Sequence, residues 1–159
     1  MPTIDGVQPN SYDAEQAVIG AVLFGGTNTM ERACGWIKNR RAFYNDDHLM
    51  IWDGMYKLYK DHNIIDAITV HDEVKKKMKV QDSNKAMAFY ITGLYNECPT
   101  SENVEEYAKI VWERYIKREA IRTAYVLAKT AEDNSAGISE ILQKHERFAD
   151  ELRKLEQNK

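Results

Sequence analysis

The residues able to do chemistry in this 159-residue chain are few and scattered. ATP-driven work on a phosphate calls for a loop of the form G-x-x-x-x-G-K-S/T, whose amides cradle the phosphates while its lysine meets the terminal ones. Gly25-Gly26-Thr27 has no following lysine, and no other stretch matches that pattern. His48, His62, His71 and His145 stand apart, and Cys34 and Cys98 form no C-x-x-C pair, so no metal-ligand spacing is visible. Asp46-Asp47-His48 and His71-Asp72-Glu73 leave a metal-dependent enzyme as one alternative. Acids of this kind equally suit the positive end of a helix dipole. No local signature suggests a Ser-His-Asp or Cys-His nucleophile. The expectation is a chain without catalytic residues, metal or cofactor.

Two basic clusters remain, Lys38-Asn39-Arg40-Arg41 and Lys75-Lys76-Lys77-Met78-Lys79. Arg40, Arg41, Lys75, Lys76, Lys77 and Lys79 are candidates for contact with a single-stranded nucleic acid, with Trp36 or Tyr44 available for stacking. The overall charge speaks against a stand-alone duplex binder, which usually shows a basic face because phosphate neutralisation dominates affinity. Net charge is −3, and residues 1–100 carry 11 basic against 13 acidic groups, with 11 against 12 after them. A solvated helix end is the simplest reading of each cluster.

Helices must position all of these groups. With 43% hydrophobic and 30% charged residues the chain fits one soluble domain, and three prolines and eight glycines are too few for a turn-dense β-sandwich. No segment approaches the roughly 18 apolar residues of a membrane span. Met1-Pro2-Thr3-Ile4-Asp5 lacks the basic start and apolar run of a signal peptide, and two cysteines make no disulfide framework, so a cytoplasmic protein with free thiols is expected.

Apolar spacing is helical nearly throughout, and the fold class read from it is all-α, a compact multi-helix body followed by a long antiparallel helical hairpin. Ser11 caps a first helix carrying Val18, Ile19, Val22 and Leu23, which ends at Gly25-Gly26. Asn28 with Glu31 forms a capping box for a second, with Cys34 as core. Leu49, Ile51, Trp52, Met55, Tyr56, Leu58 and Tyr59 stripe a central helix from Asp46 to about His62. Thr69 caps a fourth helix whose far side holds the lysines. Met87, Phe89, Tyr90, Ile91 and Leu94 mark a fifth, stopped by Pro99.

A boundary falls near Cys98-Pro99-Thr100, dividing a body over residues 1–99 from a hairpin over 100–159. Asn103 to Asp133 reads as one helix of about 45 Å, with Asn103 and Glu106 as its capping pair. Asn134-Ser135-Ala136-Gly137 is a turn. Ile138, Ile141, His145, Phe148, Leu152 and Leu155 then recur at alternating spacings of 3 and 4, a heptad seam that His145 interrupts as a register device or hydrogen-bonded core group. Ile110, Trp112 and Ile116 on the first helix, and Leu142 and Ala149 on the second, form further stripes that two helices cannot cover, which suggests another copy or a partner. The alternative is a hairpin folded back onto its own body.

The run from Pro9-Asn10-Ser11 through Glu15-Gln16-Ala17-Val18-Ile19-Gly20 to Leu23, the first of five such blocks, resembles the opening P-x-S-x-E-A-E-x-x-V-L-G-x-x-L of the N-terminal domain of the DnaB-family replicative DNA helicases of bacteria and phages. Ala42-Phe43-Tyr44 with His48, Ile51 and Trp52 resembles its D-F-Y and H-x-x-I-F segments, and Ile65-Asp66-Ala67-Ile68-Thr69-Val70 its P-I-D-x-x-T-V. Tyr90-Ile91, Pro99-Thr100-Ser101-Glu102-Asn103-Val104, Tyr107-Ala108-Lys109-Ile110-Val111 and Lys117-Arg118-Glu119 follow in the family's order. The match departs at Ala14, where the family's acid has shifted to Asp13, and at Asn63-Ile64, where a proline is common.

The resemblance implies a helical body plus hairpin that pairs two subunits, three pairs forming a hexameric collar that receives the primase helicase-binding domain or a helicase loader. Tyr107, Val111, Tyr115, Ile121, Ile141, His145, Phe148 and Leu152 are then the candidates for hairpin packing and dimer contact. In that family the whole protein is an ATP-dependent 5′–3′ helicase, whose motor would follow this segment, so the chain is not expected to unwind DNA alone. Either it is the N-terminal piece of a helicase, or it is a short protein, for example a phage-encoded one, that modulates a host helicase or primase. Direct DNA contact is expected to be weak or absent, and no membrane is involved.

Overall fold

A computed structural model describes residues 6–79 and 84–157. The expectation about a signal peptide rests on Met1–Asp5, which lie outside the described residues. Among the described residues there are helices and no strand: α1 Tyr12–Gly25, α2 Thr27–Cys34, a 3-10 turn Arg40–Ala42, α3 Asp46–Lys60, α4 Ala67–Lys75, α5 Asn84–Glu97, α6 Val104–Glu132 and α7 Ile138–Glu156. The chain is all-α, as its periodicity predicts, and no helix among the described residues is long and apolar enough to cross a membrane.

Two compact units are distinguished by their internal contacts. One is Ser11–Trp112, and the other is Glu113 onward together with the residues up to Asn10. In the first, α1 packs against α5, α2 and α3, α3 against α4, and α4 against α5. The core is what the apolar spacing requires: Val18, Ile19 and Val22 of α1, Met30 of α2, Ile51 and Met55 of α3, Val70 and Val74 of α4, and Ile91 of α5 are all fully buried. Gly20 lets α1 and α5 approach closely, since a Cβ there would lie 2.8 Å from the Leu94 carbonyl oxygen. The start of α6 is held to α2 by Arg32, whose Nε donates to Glu105 Oε1 at 2.6 Å and whose Nη2 donates to the Glu102 carbonyl at 2.6 Å.

Helix ends show where local rules held and where they were displaced. Ser11 Oγ accepts from the Ala14 amide as predicted. The Asn28–Glu31 capping box expected for α2 is not the one that forms: the helix starts at Thr27, its N-cap is Gly26 with φ +73°, and no side chain caps it. A turn this sharp needs a left-handed residue, and the Gly26 carbonyl already accepts from the Met30 amide. Thr69 is not the cap of α4 but the third residue of a capping box: Asp66 Oδ1 accepts from the Thr69 amide at 2.9 Å and Thr69 Oγ1 accepts from the Asp66 amide at 3.0 Å. The helix therefore begins one turn earlier than the lone threonine suggested. Cys34 is half-buried, not full core, and Phe89, expected on the buried face of α5, is 82% exposed.

In the second unit, Asp133 builds the turn after α6 by accepting from the Ser135 amide at 2.9 Å and its hydroxyl at 2.7 Å. These two bonds hold the Asp133 carboxyl below the usual aspartate range. α7 then turns back along α6, and Lys144 Nζ donates to Thr130 Oγ1 at 3.1 Å across the hairpin. Arg118 Nη1 donates to the Pro9 carbonyl at 2.8 Å, tying the segment before Ser11 to α6.

Candidate functional site

No group of three or more His, Cys, Asp or Glu side chains among the described residues is arranged to hold a metal ion. Asp46 and Asp47 stay exposed in the first turn of α3, where their charge suits the helix dipole, while His48 turns inward. His71 Nε2 donates to the Asn84 carbonyl at 3.1 Å, and its neighbours Asp72 and Glu73 are engaged by Lys75 and Lys76. The two histidine–acid triplets are thus dispersed into helix-start and ion-pair duties.

The densest polar constellation joins residues far apart in sequence. Glu15 is 1% exposed. Its Oε2 accepts from the Tyr44 amide at 3.0 Å, and its Oε1 accepts from the Asn45 amide at 3.2 Å and from His48 Nδ1 at 2.9 Å. A carboxylate only accepts, so Nδ1 carries the proton, and in the neutral imidazole Nε2 accepts from the Tyr90 hydroxyl at 2.7 Å. Tyr90 in turn accepts from Gln16 Nε2 at 3.1 Å and lies 3.0 Å from the Tyr12 hydroxyl. Burial, followed by the bond with Tyr12, pushes the Tyr90 phenol well above the ordinary tyrosine range and keeps it protonated. The network locks α1, the loop before α3, α3 and α5 together. Joining four segments in this way, it positions them relative to one another. Composition and spacing did not expose this network; the only signal was that Glu15, Tyr44, His48 and Tyr90 fall in family-like blocks.

The basic clusters prove to be largely engaged. Arg40 grips Asp53 through two parallel bonds, Nε to Oδ1 at 3.0 Å and Nη2 to Oδ2 at 2.7 Å. The Arg41 amide donates to Asn39 Oδ1. Lys75 lies 3.3 Å from Asp72, and Lys76 lies 3.0 Å from Glu73. Lys77 and Lys79 are exposed. Of the stacking candidates, Trp36 has Lys109 Nζ 5.8 Å above its ring, and Tyr44 is exposed.

The hairpin candidates divide by burial. Val111, Tyr115 and Phe148 are buried within the single chain, Tyr107, Ile121, Ile141 and Leu152 are half-buried, and His145 is exposed. His145 is therefore not a core group of its own hairpin. With Ile138, 73% exposed, Leu142, 58% exposed, and half-buried Ala149, it forms a second stripe along α7 at spacings of 4, 3 and 4. This stripe is distinct from the inner one of Ile141, Phe148, Leu152 and Leu155.

Comparison with known proteins adds a family and a fold. Residues 7–113 match the family model of the DnaB-like helicase N terminal domain. The chain is 29% identical over 143 residues to the replicative DNA helicase DnaC of Bacillus subtilis (strain 168), a match covering 90% of this chain and 31% of that protein. It is 31% identical over 123 residues to the replicative DNA helicase DnaB of Geobacillus stearothermophilus, covering 77% of this chain and 26% of the relative. The chain thus spans less than a third of the length of these relatives. Its structure superposes on the crystal structure of the N-terminal domain of DnaB helicase from Mycobacterium tuberculosis with a TM-score of 0.81 at 21% identity, covering 92% of this chain and 99% of the other.

Proposed function

Because this chain belongs to the family of the DnaB-like helicase N-terminal domain, we propose that it serves as the non-catalytic assembly module of a replicative DNA helicase. In this reading the hairpins of two copies pair, as a dimer or as three such dimers in a hexamer, and the assembled surface receives a primase helicase-binding domain or a helicase loader. ATP hydrolysis and unwinding belong to a motor domain elsewhere in the helicase, and the work takes place in the cytoplasm.

The observation that carries the proposal is the outer stripe of α7, where Ile138 and Leu142 remain 73% and 58% exposed on the face that also holds His145. An apolar stripe of this kind on a helix otherwise rich in charge marks an interaction face. Val111, Tyr115 and Phe148 then pack the single chain, while His145 with Ile138 and Leu142 meets the second copy. Tyr107, Ile121, Ile141 and Leu152, half-buried, border the contact.

Light scattering on a size-exclusion column at several protein concentrations tests this directly. A mass in multiples of 18.4 kDa is the expected result. A strict monomer over the whole range that also fails to bind a primase C-terminal domain would overturn the proposal.

A further inference from the structure

A cleft of about 490 Å³ opens between the segment following α2 and one face of α3, and its two walls differ in chemistry. One wall carries Lys38, Asn39 and Arg40, and the other carries Trp52, Tyr56 and Tyr59. The volume falls in the range of small-ligand sites, roughly 300–1,000 Å³. Tyr56 is 43% exposed and Tyr59 half-buried, and their ring centres lie 6.4 Å apart, so aromatic surface borders the cleft. Trp52 forms a rigid floor, held at 4.9 Å by the Phe43 ring. The acid in this wall, Asp53, is occupied by the two-point grip of Arg40. Lys38 therefore adds positive charge at the rim that this pair does not cancel.

We propose that this cleft binds one nucleotide of a single-stranded nucleic acid, with the base stacked on Tyr56 and Tyr59 and the phosphate against Lys38 and the outward edge of Arg40. Stacking faces beside cations are the combination that single-strand binding uses, because every base has a π-face and every linkage a charge. An apolar peptide anchor is the poorer fit: Ile37 and Trp52 are each only 3% exposed, so the accessible wall is tyrosine ring and polar groups, not an aliphatic socket. The site differs from the lysine ridge of α4, where Lys75 and Lys76 face their own acids. The net charge of −3 makes the binding weak, and contact with a single phosphate makes its salt dependence shallow. The proposal stands apart from the assembly role and survives its failure.

The test is fluorescence anisotropy of a fluorescein-labelled oligothymidylate titrated with the chain at low ionic strength, beside amide NMR spectra of the unmodified protein with the unlabelled oligonucleotide. Saturable binding is expected, weakened roughly tenfold by Tyr56→Ala. Lys38→Glu should also weaken it, whereas Lys154→Glu on α7 should leave it unchanged. The amide shifts should centre on residues 37–40 and 52–59, a readout that needs no variant to fold. No binding at low salt would overturn the proposal, as would loss on Lys154→Glu with none on Tyr56→Ala. Two further outcomes would reassign the cleft: thymidine monophosphate giving the same shifts at the same concentration would make it a free-nucleotide site, and an acidic peptide shifting those amides while the oligonucleotide does not would make it a peptide site.

Discussion

Glu15 ties the helical body together at one point, because its carboxylate accepts from three donors, the Tyr44 and Asn45 amides and the His48 ring. Removing the acceptor leaves buried donors unsatisfied, at a cost of about 1 to 3 kcal/mol. Glu15→Ala should therefore lower the stability measured by urea denaturation by an amount in that range, and a loss below about 1 kcal/mol would mean that Tyr44, Asn45 and His48 find other acceptors. Cys34 is the contrasting case of a residue that chemistry should bypass. Burial pushes its thiol from 9.0 up to about 11, with Lys38 pulling the other way. Near neutral pH that leaves about 100-fold less thiolate than an unperturbed cysteine has. Timed reaction with an aromatic disulfide reagent should show Cys34 slow by about that factor against a free thiol in the native protein, and fast once unfolded.

At the scale of elements, the ends of helices decide how the body closes. α3 stops in a Schellman motif in which the His62 amide donates to the Tyr59 carbonyl at 3.2 Å and the Asn63 amide to the Leu58 carbonyl at 2.9 Å. His62 supplies the left-handed residue that this motif needs, at φ +58°, a conformation costing an ordinary side chain about 1 kcal/mol or more. His62 is exposed, and no deep packing depends on its ring. His62→Gly should raise stability by roughly 0.5 to 1 kcal/mol, seen as a higher midpoint of thermal unfolding; a fall instead would mean that the imidazole makes a contact worth more than the strain. The caps also mark how far local sequence reaches. Ser11 was legible because its hydroxyl needs only the next turn. The start of α2 was not, because Gly26 answers to the sharp turn between two packed helices.

For the whole molecule the decisive quantity is how many copies assemble. A charge buried in an apolar interface without a partner costs several kcal/mol, so Leu142→Asp on the outer stripe of α7 should convert an assembling chain into a monomer by light scattering while leaving its helical circular dichroism unchanged. Leu142 suits this test because it is 58% exposed in the single chain, whereas the same change at Val111, 1% exposed, would unfold the protein before it reported on assembly. Assembly unaffected by Leu142→Asp would move the interface off this face of α7.

What the sequence determined by itself was the all-α class, nearly every helix and most of the core, because a helix is closed by bonds three or four residues apart and its buried side repeats with the same period. Val18, Ile19 and Val22 or Ile51 and Met55 could be read in that way without knowing what they touch. Period alone could not say which of two stripes on α7 faces inward, nor that Phe89 would point outward from an apolar helix. Those outcomes belong to the neighbour that happens to pack there. The Glu15–His48–Tyr90 network and the pairing of Arg40 with Asp53 were likewise beyond local reading, since their partners stand 33, 42 and 13 residues apart. Hydrogen bonds and ion pairs act over about 3 Å in space and are indifferent to distance along the chain, so only the tertiary structure could decide them.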